Sequence, residues 1–369
     1  MLLPFSDKFS QILGKYKKCT LNNLYLCVAA LIVSKTVNLN KQKDYLPNLL
    51  ENNKLKLASC YTLLVRFIKN HCRTSLPKEI LEVSKSLLSD VGDSLYLDAT
   101  EWTFGLKKIH ILVLCVHWEN VAIPVFFRPY WHKGVLSAKA RIRFMRRAIS
   151  YVALQGKILV ADREFIGQIW FDFLVESNIL FVIRIRENMY QKELLDGKSH
   201  HKLRKKALKK GFAQGFIKIN DKIFRLEFWR NTNEFNTKEP IVYLLTNVLD
   251  QKKIGQKYKY RWRIEYCFKH LKSNGFDLEN MSWKRLDKIQ LTVSIVILAY
   301  ILAIKEGSLA TKKNGKIRTK KYKNGTEYPE ISLFRVGYFT LMTKVTSLVV
   351  FIKYLKQIKI YKMTVLQIV

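Results

Sequence analysis

Apolar positions along this chain change their period several times, and each change predicts a new element. In residues 1–90, Leu24, Leu26, Val28, Leu31 and Ile32 form one apolar cluster. Leu55, Leu57, Tyr61, Leu63, Leu64 and Phe67 form a second, with lysines between. That spacing predicts a small helical bundle. From residue 94 the runs shorten. Ser94–Thr100, Ile109–His117 and Val121–Tyr130 are rich in Val, Ile, Leu and aromatics, and the short links Gly105–Lys108 and Glu119–Asn120 separate them. They read as three antiparallel strands in a meander. Ser137 to Leu154 returns to helical spacing. Lys157–Asp162 is a continuous apolar strand ending in an acid, Ile166–Ser177 an amphipathic helix, and Ile179–Ile185 a further buried strand.

Residues 187–250 depart from this plan. They open with the basic, sparsely apolar stretch His200 to Lys210. They continue as alternating runs, Phe212–Ile219, Lys222–Trp229 and Ile241–Val248, with turn chemistry at Asn220–Asp221 and Asn231–Asn236. A β-rich insertion is the expectation. A long helix from Gln256 to about Ser273 follows, stopped by Asn274–Gly275. Leu291–Ile304 is apolar for about fourteen residues, short of the roughly twenty a bilayer crossing needs, and reads as a buried core helix. A basic loop, Lys312–Lys323, and an apolar terminal region from 331 to 369 complete the chain. The expected division is 1–90 helical, 91–305 the main domain with 187–250 inserted, and 306–369 a basic loop with an apolar tail.

Composition then narrows the partner. Of 369 residues, 49% are hydrophobic, enough for a sizeable core, which excludes wholesale disorder. Sixty-five Lys and Arg stand against 29 Asp and Glu, a formal net charge of +36. Residues 1–90 alone carry 14 basic and 6 acidic side chains. Such an excess suits a polyanion, because each phosphate contact releases condensed counterions. The N-terminal residues have no long apolar run behind a basic start, so no secretory leader is expected. The six cysteines, at 19, 27, 60, 72, 115 and 267, form no C-x-x-C pair and stand near no histidines at zinc-finger spacing. A reduced, cytoplasmic, nucleoid-associated protein without a membrane partner follows.

Candidate chemistry begins with acids at strand ends. Asp98 closes Leu95-Tyr96-Leu97-Asp98, and Asp162 closes Ile158-Leu159-Val160-Ala161-Asp162. A carboxylate at the end of a buried strand is costly without a positive neighbour. A turn or helix cap is the structural use for each alone; two or three convergent acids suit Mg²⁺, which takes oxygen ligands. Glu101 lies at an odd offset from Asp98 and so faces the other side of a strand. Glu164 reads as an acid at the start of the next helix. The segment from 256 to 273 is more specific. On a helix, Tyr258, Arg261, Glu265 and Lys272 fall within an arc of about 60°. A solvated ion-paired face would explain Arg261 and Glu265, but neither Tyr258 nor Lys272.

This Tyr-(two)-Arg-(three)-Glu-(six)-Lys pattern resembles the signature of the insertion sequence four family of DDE transposases. The contexts Leu97-Asp98-Ala99-Thr100, Ala161-Asp162-Arg163-Glu164-Phe165-Ile166-Gly167 and Phe268 to Phe276 are similar to that family's motifs as well. The resemblance spans roughly 90–305. It implies an α/β, ribonuclease-H-like catalytic core with a β-rich insertion, which suits the strand and helix order above and the 103-residue spacing from Asp162 to Glu265. It implies that Asp98, Asp162 and Glu265 are the catalytic triad and bind Mg²⁺, with Mn²⁺ substituting. Tyr258, Arg261 and Lys272 would contact phosphates beside the cut, and Trp229, or Trp262, would stack on a flipped base.

The implied reaction is metal-dependent cleavage of double-stranded DNA at the element's terminal inverted repeats, followed by strand transfer into target DNA. A homodimer would assemble the synaptic complex. Residues 1–90 are the candidate for binding the element end, although they show no clear helix-turn-helix. Lys202–Lys210 and Lys312–Lys323 are candidates for contacting flanking duplex. A catalytically inactive, transposase-derived DNA-binding regulator is the alternative, and a structure-directed nuclease on the same fold a third reading.

Overall fold

The computed structural model describes residues 12–88, 91–152, 156–195, 197, 199–231, 239–251, 253–314, 319–321 and 327–358. Much of the expected turn at Asn231–Asn236, half of the 312–323 loop and the end of the apolar tail lie outside them. In chain order the main elements begin with helices α1 (Lys18–Ser34), α2 (Leu57–His71) and α3 (Leu76–Ser86). Strands β1 (Ser94–Phe104), β2 (Lys107–Trp118) and β3 (Val121–Trp131) follow. Next come α4 (Ala138–Ile149), β4 (Ile158–Ala161), α5 (Gln168–Glu176), β5 (Leu180–Ile185) and α6 (His200–Lys210). Strands β6 (Phe212–Ile219), β7 (Lys222–Arg230) and β8 (Ile241–Thr246) precede α7 (Arg263–Leu271), α8 (Leu286–Asn314), α9 (Leu333–Met342) and α10 (Leu348–Gln357).

The chain divides into two compact units. One holds Met1–Val91, Pro129–Trp131 and Tyr266–Val369; the other holds Gly92–Arg128 and His132–Glu265, so the boundary falls inside α7. In the first unit, α8 runs 29 residues, well beyond the fourteen-residue apolar run that marks its centre. It is long and apolar enough to cross a bilayer by length and composition, yet its apolar window is 89% buried within the protein. It packs on α1, α2, α3 and α9. Its contact with α9 is close: a Cβ on Gly337 would meet the Ala303 carbonyl, and one on Gly307 would meet that of Leu333. The six cysteines form no disulfide.

The second unit is built on a mixed eight-stranded sheet in the order β3-β2-β1-β4-β5-β8-β7-β6. β1 runs antiparallel to β2 and parallel to β4, and β5 continues the parallel run. The β2–β3 turn, Glu119–Asn120, has both residues at positive φ (41° and 67°), a primed turn whose twist suits a hairpin. All four residues of β4 are buried, as a central strand requires. β8, β7 and β6 add to the far edge of the same sheet through the antiparallel β5–β8 pairing.

Two further differences from the sequence reading follow from local physics. The basic stretch before β6 is helical: Leu203 and Ala207, four residues apart, turn inward while Lys202, Lys205, Lys206, Lys209 and Lys210 stay exposed, and Gly211 at φ 83° closes α6. The helix expected over 256–273 is broken into a 3₁₀ segment, Ile254–Tyr260, a turn at 261–262, and α7. Three-residue hydrogen bonds carry the chain through that break: Arg261 N–H donates to Tyr258 O, Ile264 N–H to Arg261 O, and Glu265 N–H to Trp262 O, each 3.0 Å. The 3₁₀ winding eclipses positions i and i+3, so Tyr258 still stands over Arg261.

Candidate active site

Parallel pairing brings Asp98 and Asp162 together. Leu97 is the register partner of Ala161. The next residues, Asp98 and Asp162, therefore stand at one level, where strand spacing is about 4.8 Å. Asp162 follows the end of β4, but Asp98 does not close its strand as the sequence suggested, because β1 stays paired with β2 as far as Phe104. The turn after β4 is fixed by its own contacts. Arg163 N–H donates to Asp162 Oδ1 (2.8 Å), and Phe165 N–H to Asp162 O (2.9 Å). Buried Arg141 of α4 reaches across to donate to the carbonyls of Glu164 (2.9 Å) and Ile166 (3.3 Å). Gly167, at φ 133°, lets the chain swing into α5, a conformation that L side chains rarely adopt.

Glu265 arrives from the far end of the unit, in the first turn of α7, and all three acids meet one guanidinium. Arg261 lies 2.8 Å from Asp98 Oδ2, 2.7 Å from Glu265 Oε1 and 3.7 Å from Asp162 Oδ2. Its side chain is only 12% exposed. Tyr258 Oη donates to Asp162 Oδ1 (2.9 Å). Residues remote in sequence thus converge as neighbours. Among the described residues no three His, Cys, Asp or Glu side chains form a ready metal cage; here the acids gather on Arg261.

The electrostatics of the two aspartates differ. Burial raises the Asp98 pKa to about 6, against the pull of Arg261 and the Ala99 N–H. Burial also pushes Asp162 upward, but Arg261, the Arg163 N–H and the Tyr258 hydroxyl outweigh it and hold Asp162 below the usual range. Tyr258 is raised to about 12, mainly by burial. Burial works against the Arg261 charge, yet Tyr258 and the three acids more than offset it, so its proton is held more tightly than usual.

A fourth acid belongs to this group. Glu164 does not begin a helix, since α5 starts only at Gln168. Burial, with the charges of Asp98 and Asp162, raises its pKa to about 7, and its Oε1 is buried without a hydrogen-bond partner. The sequence offered one signal for it, the even offset from Asp162, which would have kept both acids on one face had the strand continued.

The remaining candidates have other surroundings. Lys272 belongs to the other unit, where its ammonium pairs with Glu279 (2.8 Å). Trp229 is half-buried on β7; its Nε1–H donates to Glu227 Oε2 (2.8 Å) and its ring lies 4.6 Å from that of Phe212. Trp262 is 40% exposed at the turn before α7.

No curated protein matches the chain. Among solved structures it is similar to a piggyBac transposase synaptic complex with hairpin DNA, determined by cryo-electron microscopy. The TM-score is 0.45 at 13% identity, over 92% of this chain and 76% of that one. A likeness of that size leaves function to be argued from this chain's own residues. Residues 138–302 match a family described as the transposase DDE domain, a span that includes Asp162, Tyr258, Arg261, Glu265 and Lys272. That match supports a DDE transposase.

Proposed function

We propose that the chain is a DNA transposase that cleaves the ends of its own element and transfers them to target DNA, with Asp98, Asp162 and Glu265 as the catalytic acids. The observation that carries this reading is the meeting of the three acids on one guanidinium. The strand order β3-β2-β1-β4-β5, antiparallel then parallel, supports a ribonuclease-H-like core beneath them.

The residues fit a divalent metal. The donors are all hard carboxylate oxygens, which Mg²⁺ prefers and Mn²⁺ tolerates. Burial disfavours the charged form of Asp98, so a cation beside it stabilises its carboxylate. Asp98, Asp162 and Glu265 would hold the ions, with Glu164 next to them. When bound, such ions activate the attacking oxygen and steady the leaving one. The chain's own cations position the substrate. Arg261 offers a planar fork to a phosphate, Tyr258 a hydroxyl donor and Lys272 a point charge. The exposed lysines of α6 and those near residue 312 neutralise flanking duplex without reading its sequence. The helical residues up to 90 bind the element end, a homodimer brings two ends together, and the protein works at the nucleoid in the cytoplasm.

The test is cleavage of a plasmid carrying the gene with its native flanking DNA, in Mg²⁺ or Mn²⁺. Asp98→Ala, Asp162→Ala and Glu265→Ala are each expected to lower cutting by about a thousandfold or more while duplex binding stays within about threefold. Retained cutting in one variant removes that acid from the set. Duplex binding by wild type with no cutting in either metal favours the regulator, and cutting without joining favours a nuclease.

A further inference from the structure

Arg261 is assigned two incompatible partners. As a phosphate contact it must face DNA, yet here its fork is committed to Asp98, Glu265 and Asp162, at 2.8, 2.7 and 3.7 Å. A divalent ion needs the same oxygens at about 2.0–2.6 Å. Guanidinium N–H groups already directed at those oxygens occupy the approach, and two cations on one set of acids repel. We propose that Arg261 is the resident counter-cation of the carboxylate site, and that a DNA phosphate draws it off before divalent ions load. This inference rests on the metal-dependent reading above.

Phosphate is suited to the exchange because it accepts the same bidentate fork as a carboxylate. Each anion group then gains its proper cation: Arg261 goes to the backbone being cut, and the acids go to the metal. Before DNA arrives, the arginine neutralises the clustered acids and keeps the metal site unloaded. Coupling of this kind is reciprocal, so metal also favours release of Arg261 toward DNA. A purely structural arginine predicts the opposite sign. If Arg261 only held the acids in place, removing it would scatter them and weaken metal binding.

The full chain is titrated with Mn²⁺ alone, with bound ion read by electron paramagnetic resonance and folding checked by circular dichroism. Arg261→Ala and Arg261→Gln are expected to bind Mn²⁺ about tenfold or more tightly than wild type. Adding Asp98→Ala to Arg261→Ala should abolish that gain. Arg184 is the control for mere loss of charge. It influences Tyr258 and Asp162 electrostatically but makes its ion pair with Glu239, so Arg184→Gln should change affinity by less than about threefold. Folded Arg261 variants that bind Mn²⁺ no better than wild type overturn the proposal, as does an equal gain in Arg184→Gln.

A second titration adds a saturating random-sequence 40-base-pair duplex at low salt, with ion bound to the DNA itself subtracted using Asp98→Ala. DNA should lift wild type to the level of Arg261→Ala and leave Arg261→Ala unchanged. Wild type unmoved by bound DNA overturns the exchange. Failure of every protein to bind Mn²⁺ at this site, with or without DNA, overturns the metal reading itself.

Discussion

The sheet-bearing unit buries arginine and carboxylate in two places, to opposite ends. On β7, Arg225 and Glu227 are 1% and 0% exposed. Glu227 Oε2 accepts from Trp229 Nε1–H (2.8 Å) and Gly255 N–H (2.9 Å), while Oε1 lies 3.1 Å from Arg225 Nε. Arg225 in turn donates to the carbonyls of Leu249 (3.2 Å) and Gln251. The contacts to Leu249, Gln251 and Gly255 tie the loop before Tyr258 to the sheet. Around Arg261 the acids outnumber their partners: Asp98, Asp162 and Glu265 share one arginine, and Glu164 keeps a buried oxygen unpaired. Both pairings contain the same chemical groups. The ratio of acid to arginine separates the two places, one to one on β7 and three to one around Arg261. Hydrogen bonding does not, since Arg225 Nε and Glu227 Oε1 are also buried without hydrogen-bond partners.

The comparison is broken most forcefully at β7. Glu227→Ala leaves Arg225 buried without its counter-charge, and chemical denaturation should show a loss of about 3–5 kcal/mol. A change below about 1 kcal/mol would mean that the pair does not hold the loop. Gly255→Ala acts on the same joint. Its Cβ would meet Glu227 Oε2, with Leu244 Cδ1 at 2.6 Å and Trp229 Nε1 at 2.7 Å, so a loss of about 1–3 kcal/mol is expected.

The acid site should respond with the reverse sign. Burial raises Asp98 to about 6 in the folded chain, so the folded state keeps a proton that the unfolded state releases. The stability this group contributes is complete below the ordinary carboxylate range and is lost as pH rises through about 6. Asp98→Asn removes the ionisation and should stabilise the protein by on the order of 1–3 kcal/mol at pH 8. Denaturation midpoints should show the gain fading by pH 4. A variant less stable than wild type at pH 8 would mean that the Arg261 contact outweighs the burial of Asp98. Glu164→Gln should give a gain of the same sign and similar size, seen as pH rises through about 7, because burial and the neighbouring aspartates raise Glu164 as well.

Much of this arrangement was legible in the sequence, unevenly. β1 to β5 were readable because each strand is a short apolar run bounded by turn residues. The acids Asp98 and Asp162 stood out against that background, although Asp98 proved to lie within β1 rather than at its end. Their adjacency was not readable from either segment, since it depends on the parallel register of Leu97 with Ala161. Glu164 looked like a helix-start acid because nothing local reveals that Arg141, more than twenty residues earlier, holds the turn open through Ile166. The alternating runs after residue 210 fixed three strands but not the sheet they join. The break at Arg261 escaped because α and 3₁₀ segments share nearly the same pattern over seven residues. The Arg261 ion pairs with Asp98 and Asp162 that accompany the break are long-range.

Metal ligation by the three acids is tested most directly by exchanging oxygen for sulfur. Asp98→Cys, Asp162→Cys and Glu265→Cys should each lose DNA cleavage in Mg²⁺, which avoids thiolate, and recover part of it in Mn²⁺, which accepts sulfur more readily. Recovery confined to Mn²⁺ is the predicted result. Equal activity in both metals, at the wild-type rate, would show that the substituted oxygen never held the ion.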